Sequence, residues 1–211
     1  MTRNEDYSEA FRLASQELAK TNLHRICSVS GAVCVDDANG QPAISLQFMN
    51  QEHLVEFKPK VEVLLQKNRE PVPIPEQIIL LHYLLTARGD PLTKNRITFR
   101  QVPEGPFYYS AFRKRARDPL VKTFGAEPKR LLVCGSQLGA KPDQLGDASI
   151  TFNALPRVPV TVVLWAGDDE LPPEGSLLFD ESIVNYLPTE DIAVLSWIIV
   201  YRLIYFNRSL S

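Results

Sequence analysis

The stretch GPFYYSAFRKRAR, residues 105–117, holds the densest set of groups able to grip a ligand. Tyr108 and Tyr109 offer flat, amphipathic surfaces, and Arg113, Lys114, Arg115 and Arg117 add positive charge on what reads as a helix. Together they suit an anionic, ring-containing molecule held by stacking and charge-assisted hydrogen bonds. The same mixture binds single-stranded nucleic acid in other settings, and a solvated helix face neutralised by an acidic tail is the plainer reading. His82, inside ILLHYLL, is a second candidate. A desolvated neutral imidazole there could ligate a metal held in a tetrapyrrole or corrin, or simply hydrogen-bond within the core. Asp180 follows LLF directly, where the chain enters the core, and a carboxylate there needs a donor. Arg157, in LPRVPV, is the expected partner, as a structural ion pair rather than as catalytic machinery.

Other chemistry is weakly encoded. Asp168, Asp169, Glu170 and Glu174 crowd one acidic stretch with Asp180 and Glu181, but their order is not that of a calcium loop. Pro172 and Pro173 stiffen the path, so the stretch reads as a solvated loop. Cys27, Cys34 and Cys134 match neither a redox C-x-x-C nor a zinc knuckle and are expected as small buried hydrophobes. His24, His53 and His82 form no H-x-x-x-H or H-E-x-x-H, and no G-x-S-x-G, Walker or G-x-G-x-x-G motif occurs. No nucleophile–base pair is legible, so a non-enzymatic role is expected.

These groups must be positioned by an ordinary globular chain. The 211 residues are 45% hydrophobic and 23% charged, enough for a substantial core. A formal net charge of −2 argues against a dedicated nucleic-acid binder. The charge is uneven, however: residues 94–130 carry ten Lys/Arg against three Asp/Glu, and residues 131–211 carry four against ten. A basic middle and an acidic end can attract each other within the fold. No secretory h-region opens the chain, and the apolar run 192–206 falls short of a membrane span, so a cytoplasmic location is expected.

Periodicity predicts an amphipathic helix in NEDYSEAFRLASQELAK, with Asn4 as cap and Tyr7, Phe11, Ala14 and Leu18 on one face. GAVCVD, AISLQFM and HLVEFKP predict a strand meander, with DDANGQP as a turn. PIPEQIILLHYLLTARGD predicts a buried helix over 75–88 that Gly89 ends. RITFRQV predicts a strand, and YYSAFRKRARDPLVKTFG two helical pieces broken at Pro119, the second closed by Gly125. Residues 135–149 read as a loop, VPVTVVLWA as a central strand, SLLFDES as a short strand or turn, and 190–205 as a second buried helix. Trp165 and Trp197 are expected in the core. An internal echo sets Ile78 on Ile192, Glu76 on Glu190, Leu81 on Leu195 and Tyr83 on Trp197. Either two similar β-rich/helix units, about 25–90 and 130–206, arose by duplication, or buried helices with Pro-Glu starts merely look alike. The expectation is one α+β domain over 1–211, an antiparallel sheet packed against two apolar helices.

The segments ILLHYLLTARGDPL, ITFRQVPEGPFYYSAF, DPLVKTFG, FNALPRVPVTVVLWAGDDELPP and LLFDESIVNYLPTEDIAVL resemble the DUF3786 family over roughly residues 75–200. The specific parts are ALPRVPVTVVLW-x-x-DDE-x-P and LFD-x-S-x-x-x-YLP-x-E-D, the latter containing Asp180. The family is known chiefly from anaerobic bacteria and archaea and has no settled activity; the resemblance implies company with corrinoid, iron–sulfur or one-carbon chemistry. Some relatives carry a Cys-rich cluster-binding segment, which three scattered cysteines cannot supply here. The resulting expectation is an accessory protein holding a corrinoid or haem-like tetrapyrrole in a cleft lined by Tyr108, Tyr109, Arg113, Arg157, His82 and Asp180. The alternative is an adaptor for an iron–sulfur or methyl-transfer enzyme, with no small ligand of its own.

Overall fold

A computed structural model describes residues 3–210, with side chains from Asp6 onward. Helix α1 (Arg3–Leu18) buries Ala14 and Leu18, half-buries Tyr7 and Phe11, and lies on α3 (Ile74–Thr86). Because α1 already includes Arg3, Asn4 sits within its first turn rather than capping it. A helix that periodicity did not predict, α2 (Leu23–Ser30), is defined by its ends. The Asn22 side chain accepts the Arg25 amide, and Gly31, at φ +76°, caps the last turn through Cys27 O.

Strands β1 (Val33–Asp36), β2 (Pro42–Phe48), β3 (Gln51–Glu56) and β4 (Glu62–Leu65) form the expected antiparallel meander, in sequential order. The last of these strands was not foreseen. Met49 and Asn50, both at positive φ, close the β2–β3 hairpin, a backbone that suits the right-handed strand twist. Next comes α3, with Pro75 and Glu76 in its first turn, where a missing N–H costs nothing and a negative charge meets the helix dipole. Only Thr86 of its thirteen residues is exposed, so the helix is buried as its composition requires.

The segment that follows departs from expectation at its centre. After β5 (Arg96–Thr98) and a 3-10 turn (Phe99–Gln101), α4 (Gly105–Phe112) runs without a break into α5 (Asp118–Phe124). The join is a π-helical turn, Arg113–Arg117, in which the Asp118 amide reaches back five residues to Arg113 O. Pro119 has no N–H to give and sits in the first turn of α5, so the widened turn absorbs it without a break. Gly125 ends α5 with right-handed backbone, and a Cβ there would stand 2.5 Å from Val121 O and 2.9 Å from Pro173 Cβ. Close approach to the 172–173 turn, not a left-handed cap, is what requires glycine.

The expected 135–149 loop is mostly structured. It holds the end of α6 (Arg130–Ser136), the short β6 (Lys141–Pro142) and the start of β7 (Ala148–Leu155). With β8 (Val158–Trp165) and β9 (Glu174–Asp180) these make a second antiparallel sheet, ordered β5-β9-β8-β7-β6. As its composition predicted, β8 is central and buried on both faces, except at Trp165, which is 42% exposed and not in the core. The β7–β8 register slips between Asn153 and Leu155. This bulge frees Ala154 O to take the Met49 amide at 3.0 Å, joining the first sheet's hairpin to the second sheet. A 3-10 turn (Glu181–Asn185) leads into α7 (Thr189–Ser209), which packs on α3, α4, α5 and α6.

The fold is thus mixed α+β with two antiparallel sheets, and one continuous core draws on both. The order α2–β1–β2–β3–β4–α3 repeats as α6–β6–β7–β8–β9–α7. The two long buried helices are tied by crossed ion pairs: Glu76 of α3 to Arg202 of α7 at 2.5 Å, and Asp191 of α7 to His82 of α3 at 2.6 Å.

Candidate ligand groove

The expected cleft residues do not converge on one place. Asp180 is buried, but its carboxylate accepts the amides of Thr93, Lys94 and Ser182 and the Thr93 hydroxyl, at 2.7–3.1 Å. Burial works against its charge, yet the donors of Ser182, Thr93 and Lys94 outweigh it and hold the carboxyl below its usual range. Asp180 therefore fixes the loop entering β5, and Arg157 is not its partner. Arg157 instead lies beside Gly31, where its amide donates to Tyr83 Oη at 3.2 Å. Tyr109 is covered by the Arg100 guanidinium, 3.9 Å above its ring, and packs on Phe112. Arg113 pairs with Asp118 at 3.4 Å. Arg117 bonds Asp118 and Glu174, one place where the basic middle and acidic end do meet.

Tyr108 and His82 line two neighbouring hollows. A small groove between α1, α4 and α7, with a cavity volume of about 80 Å³, is lined by Tyr7, Tyr108, Arg115 and Trp197 among others. A second hollow of about 270 Å³, toward α3, shares Tyr7, Glu190 and Val194 with the first and includes His82 and Asp191. Each wall has a helical cause. Tyr108, Ala111 and Arg115 follow one another at three- and four-residue steps along α4 and the π turn, as do Glu190, Val194 and Trp197 along α7. Sequence reasoning found Tyr108 but chose Arg113 over Arg115, since the phase added by the widened turn is invisible in composition. Tyr7 it placed on the apolar face of a helix and Trp197 in the core, because apolar periodicity does not distinguish a core face from a groove wall.

At the α3 end, the Asp191 carboxylate receives the His82 Nδ1 proton, which leaves Nε2 with no hydrogen bond among the described residues. The bond to Asp191 raises the His82 pKa, opposed by burial and supported by the charges of Asp191, Glu17 and Glu190. An imidazole fixed through one nitrogen by a carboxylate is the arrangement used to present the other nitrogen to a metal. At the α4 end, three aromatic rings and one guanidinium surround the opening, a mixture suited to stacking on a ring and pairing with its acid group. Beyond the groove, α7 continues outward with Tyr201 and Tyr205, 50% and 69% exposed, and Trp197 meets Tyr201 edge-on at 5.9 Å.

Asp168 accepts the amides of Glu170 and Leu171 and closes a solvent-facing turn, so Asp168, Asp169 and Glu170 lie in the loop expected for them, whereas Glu174 already begins β9. Among the described residues no group of three His, Cys, Asp or Glu is placed to hold a metal ion, and no helix is long and apolar enough to cross a membrane.

No curated protein and no solved structure matches the chain. A family model described as "Domain of unknown function (DUF3786)" matches residues 22–202, a span that takes in α3, α4, both sheets and most of α7. The chain therefore belongs to the DUF3786 family.

Proposed function

We propose that this protein is an accessory binding protein that grips a flat, anionic ring system, a corrinoid or haem-like tetrapyrrole, along the groove between α1, α4 and α7. The observation that carries the reading is the clustering of Tyr7, Tyr108, Trp197 and Arg115 around one opening. The rings provide stacking faces, and Arg115 answers a peripheral carboxylate or phosphate. His82 Nε2, backed by Asp191, would be the nitrogen available to hold the metal of a metal-bearing ring. The test is to titrate the purified protein with haem and with cobalamin, following the visible spectrum and tryptophan fluorescence. Saturable quenching that weakens at least tenfold in Trp197→Ala and in Arg115→Glu is expected. Unchanged spectra and fluorescence with both ligands would sink the reading.

A second reading, an adaptor docking on an iron–sulfur or methyl-transfer enzyme, draws on Tyr201 and Tyr205. An outward helix face of a lone protein is ordinarily charged, and this one carries rings. Loss of metalloenzyme co-purification in Tyr205→Glu, with haem and cobalamin ignored, would favour it. We also propose that the two α-β-β-β-β-α units arose by duplication. Superposition of their backbones should bring residues 76–85 onto 190–199 in the Ile78-on-Ile192 register, and any other register overturns the idea.

A further inference from the structure

Two cysteines seven positions apart, which no spacing rule singles out, are neighbours in space. Cys27 is buried on α2, one turn beyond Leu23, whose carbonyl an α-helix offers to the Cys27 amide. Cys34 comes from the other arm, on β1, and its Sγ rests 3.5 Å from that same Leu23 carbonyl. Gly31, at φ +76°, turns the chain between them and brings β1 back along α2. The two thiols differ in access. Cys34 is half-buried and lines a shallow surface hollow with Leu23, His24, Val35 and Asp36, whereas Cys27 sits behind it. Burial, together with the neighbouring Cys34, pushes the Cys27 thiol up to about 12, so Cys27 holds its proton while Cys34 faces solvent. Cys134, on α6, is buried and takes no part.

We propose that Cys34 and Cys27 form a reversible dithiol–disulfide site, with Cys34 the thiol that reacts first with a low-molecular-weight disulfide and Cys27 the thiol that resolves the adduct. In the first step the Cys34 thiolate attacks one sulfur of the small disulfide. A Cys34–S–S–R bond forms, the R–S–S–R bond breaks, and one thiolate leaves to take up a proton. In the second step Cys27 attacks Cys34 Sγ as its own proton departs, expelling a second RSH. The two protein sulfurs lose two electrons, and the small disulfide is reduced to two thiols. The high Cys27 pKa makes the second step the slower one, hastened by alkaline pH. Closure would pin the α2–β1 corner, which lies against the β7–β8 turn: a Cβ on Gly31 would stand 3.2 Å from Pro156 Cβ.

The test uses the full-length chain and glutathione disulfide. Intact mass and maleimide counting after denaturation should show three reactive thiols before treatment and one, Cys134, afterwards, with the mass lower by two hydrogens. Dithiothreitol should restore all three. Cys27→Ser should stop at a glutathione adduct on Cys34, and Cys34→Ser should not react while folded. Three maleimide-reactive thiols after treatment of the wild type, or a glutathione adduct that persists on it at pH 9, would overturn the proposal. The wild-type result decides by itself if either variant fails to fold.

Discussion

Tyr83 and Trp197 occupy matching positions in the echoed helices, yet the fold treats them oppositely. Tyr83 is fully buried and stacks on Tyr186 with ring centres 6.0 Å apart. Its hydroxyl donates to Ser30 O at 2.5 Å and accepts the Arg157 amide, so its whole surface is used internally. Burial drives its own ionisation beyond the usual range. Trp197 faces the groove, with Tyr108 and Arg115 across from it. Around Tyr83 the space above α3 is filled by α2 and the β7–β8 turn. Around Trp197 part of the corresponding space stays open beside α1 and α4. A large ring in a buried helix marks a place where volume must be filled, and what fills it decides between core and binding site.

That contrast can be broken from either side. Tyr83→Ala should destabilise the fold by about 3–5 kcal/mol, the cost of a large buried cavity plus an orphaned carbonyl. Trp197→Ala should cost less than about 1 kcal/mol, while weakening ligand binding at least tenfold. Urea denaturation of both variants checks the pair, and equal losses would make Trp197 an ordinary core residue. Next in size is the tie between the units. Arg202→Ala strands Glu76, which is mostly buried, and should cost about 3 kcal/mol at pH 7. Burial already raises the Glu76 pKa against the pull of Arg202. A raised carboxylate loses stability as pH climbs from its unfolded value through its folded one, and removing Arg202 widens that window. The deficit should therefore shrink near pH 4, as thermal melts of the two proteins at matched pH will show.

A smaller loss is expected from Asp180→Asn, about 1–2 kcal/mol, as the charge-assisted bonds to Thr93 and Lys94 weaken. Amide exchange at those two residues should quicken more than in β8. The wild-type contribution of Asp180 follows the opposite pH sign to Glu76: it is present above the unfolded pKa and disappears as acid protonates the carboxyl below it. The smallest effect belongs to His82. Its raised pKa means the ion pair with Asp191 contributes fully below about pH 6.5 and fades as pH rises through the higher folded value. Asp191→Asn should flatten the melting temperature between pH 6 and 8.5, and NMR titration of the ring would report the fall in pKa.

Much of the architecture was legible because strong patterns have single solutions. The run VPVTVVLW can only be a strand buried on both faces, and it is β8. Residues 74–86, apolar nearly all round, had to be a buried helix. What escaped was set by ends and neighbours. Helix α2 is short and weakly periodic, and only its Asn22 and Gly31 caps announce it. ASITFNAL alternates apolar and polar residues, as a strand with one exposed flank at Asn153 should, but the Gly- and Asp-rich stretch running into it reads as loop. The site was legible in kind rather than in address. Tyr108 and His82 reached the neighbouring hollows, whereas Tyr109, Arg113, Arg157 and Asp180 were each claimed by a nearer partner. Local sequence shows that a charge or ring wants company, and only the folded chain shows whose.

The widened turn at 113–117 has a geometric consequence for everything beyond it. Phe112, Ala116, Leu120 and Phe124 are all buried, a stride of four residues. In an unbroken α-helix each such step overshoots a full revolution by about 40°, so the fourth member would have wandered about a third of the way around the axis. The extra residue in the π turn winds that drift back, which is why one flank can stay seated along α7 for twelve residues while the arginines fan outward to either side. The basic run thus acts as a phase corrector before it acts as a charge, and deleting Ala116 alone should let the turn tighten to an ordinary α-helix while Leu120 and Phe124 stay in phase with Phe112.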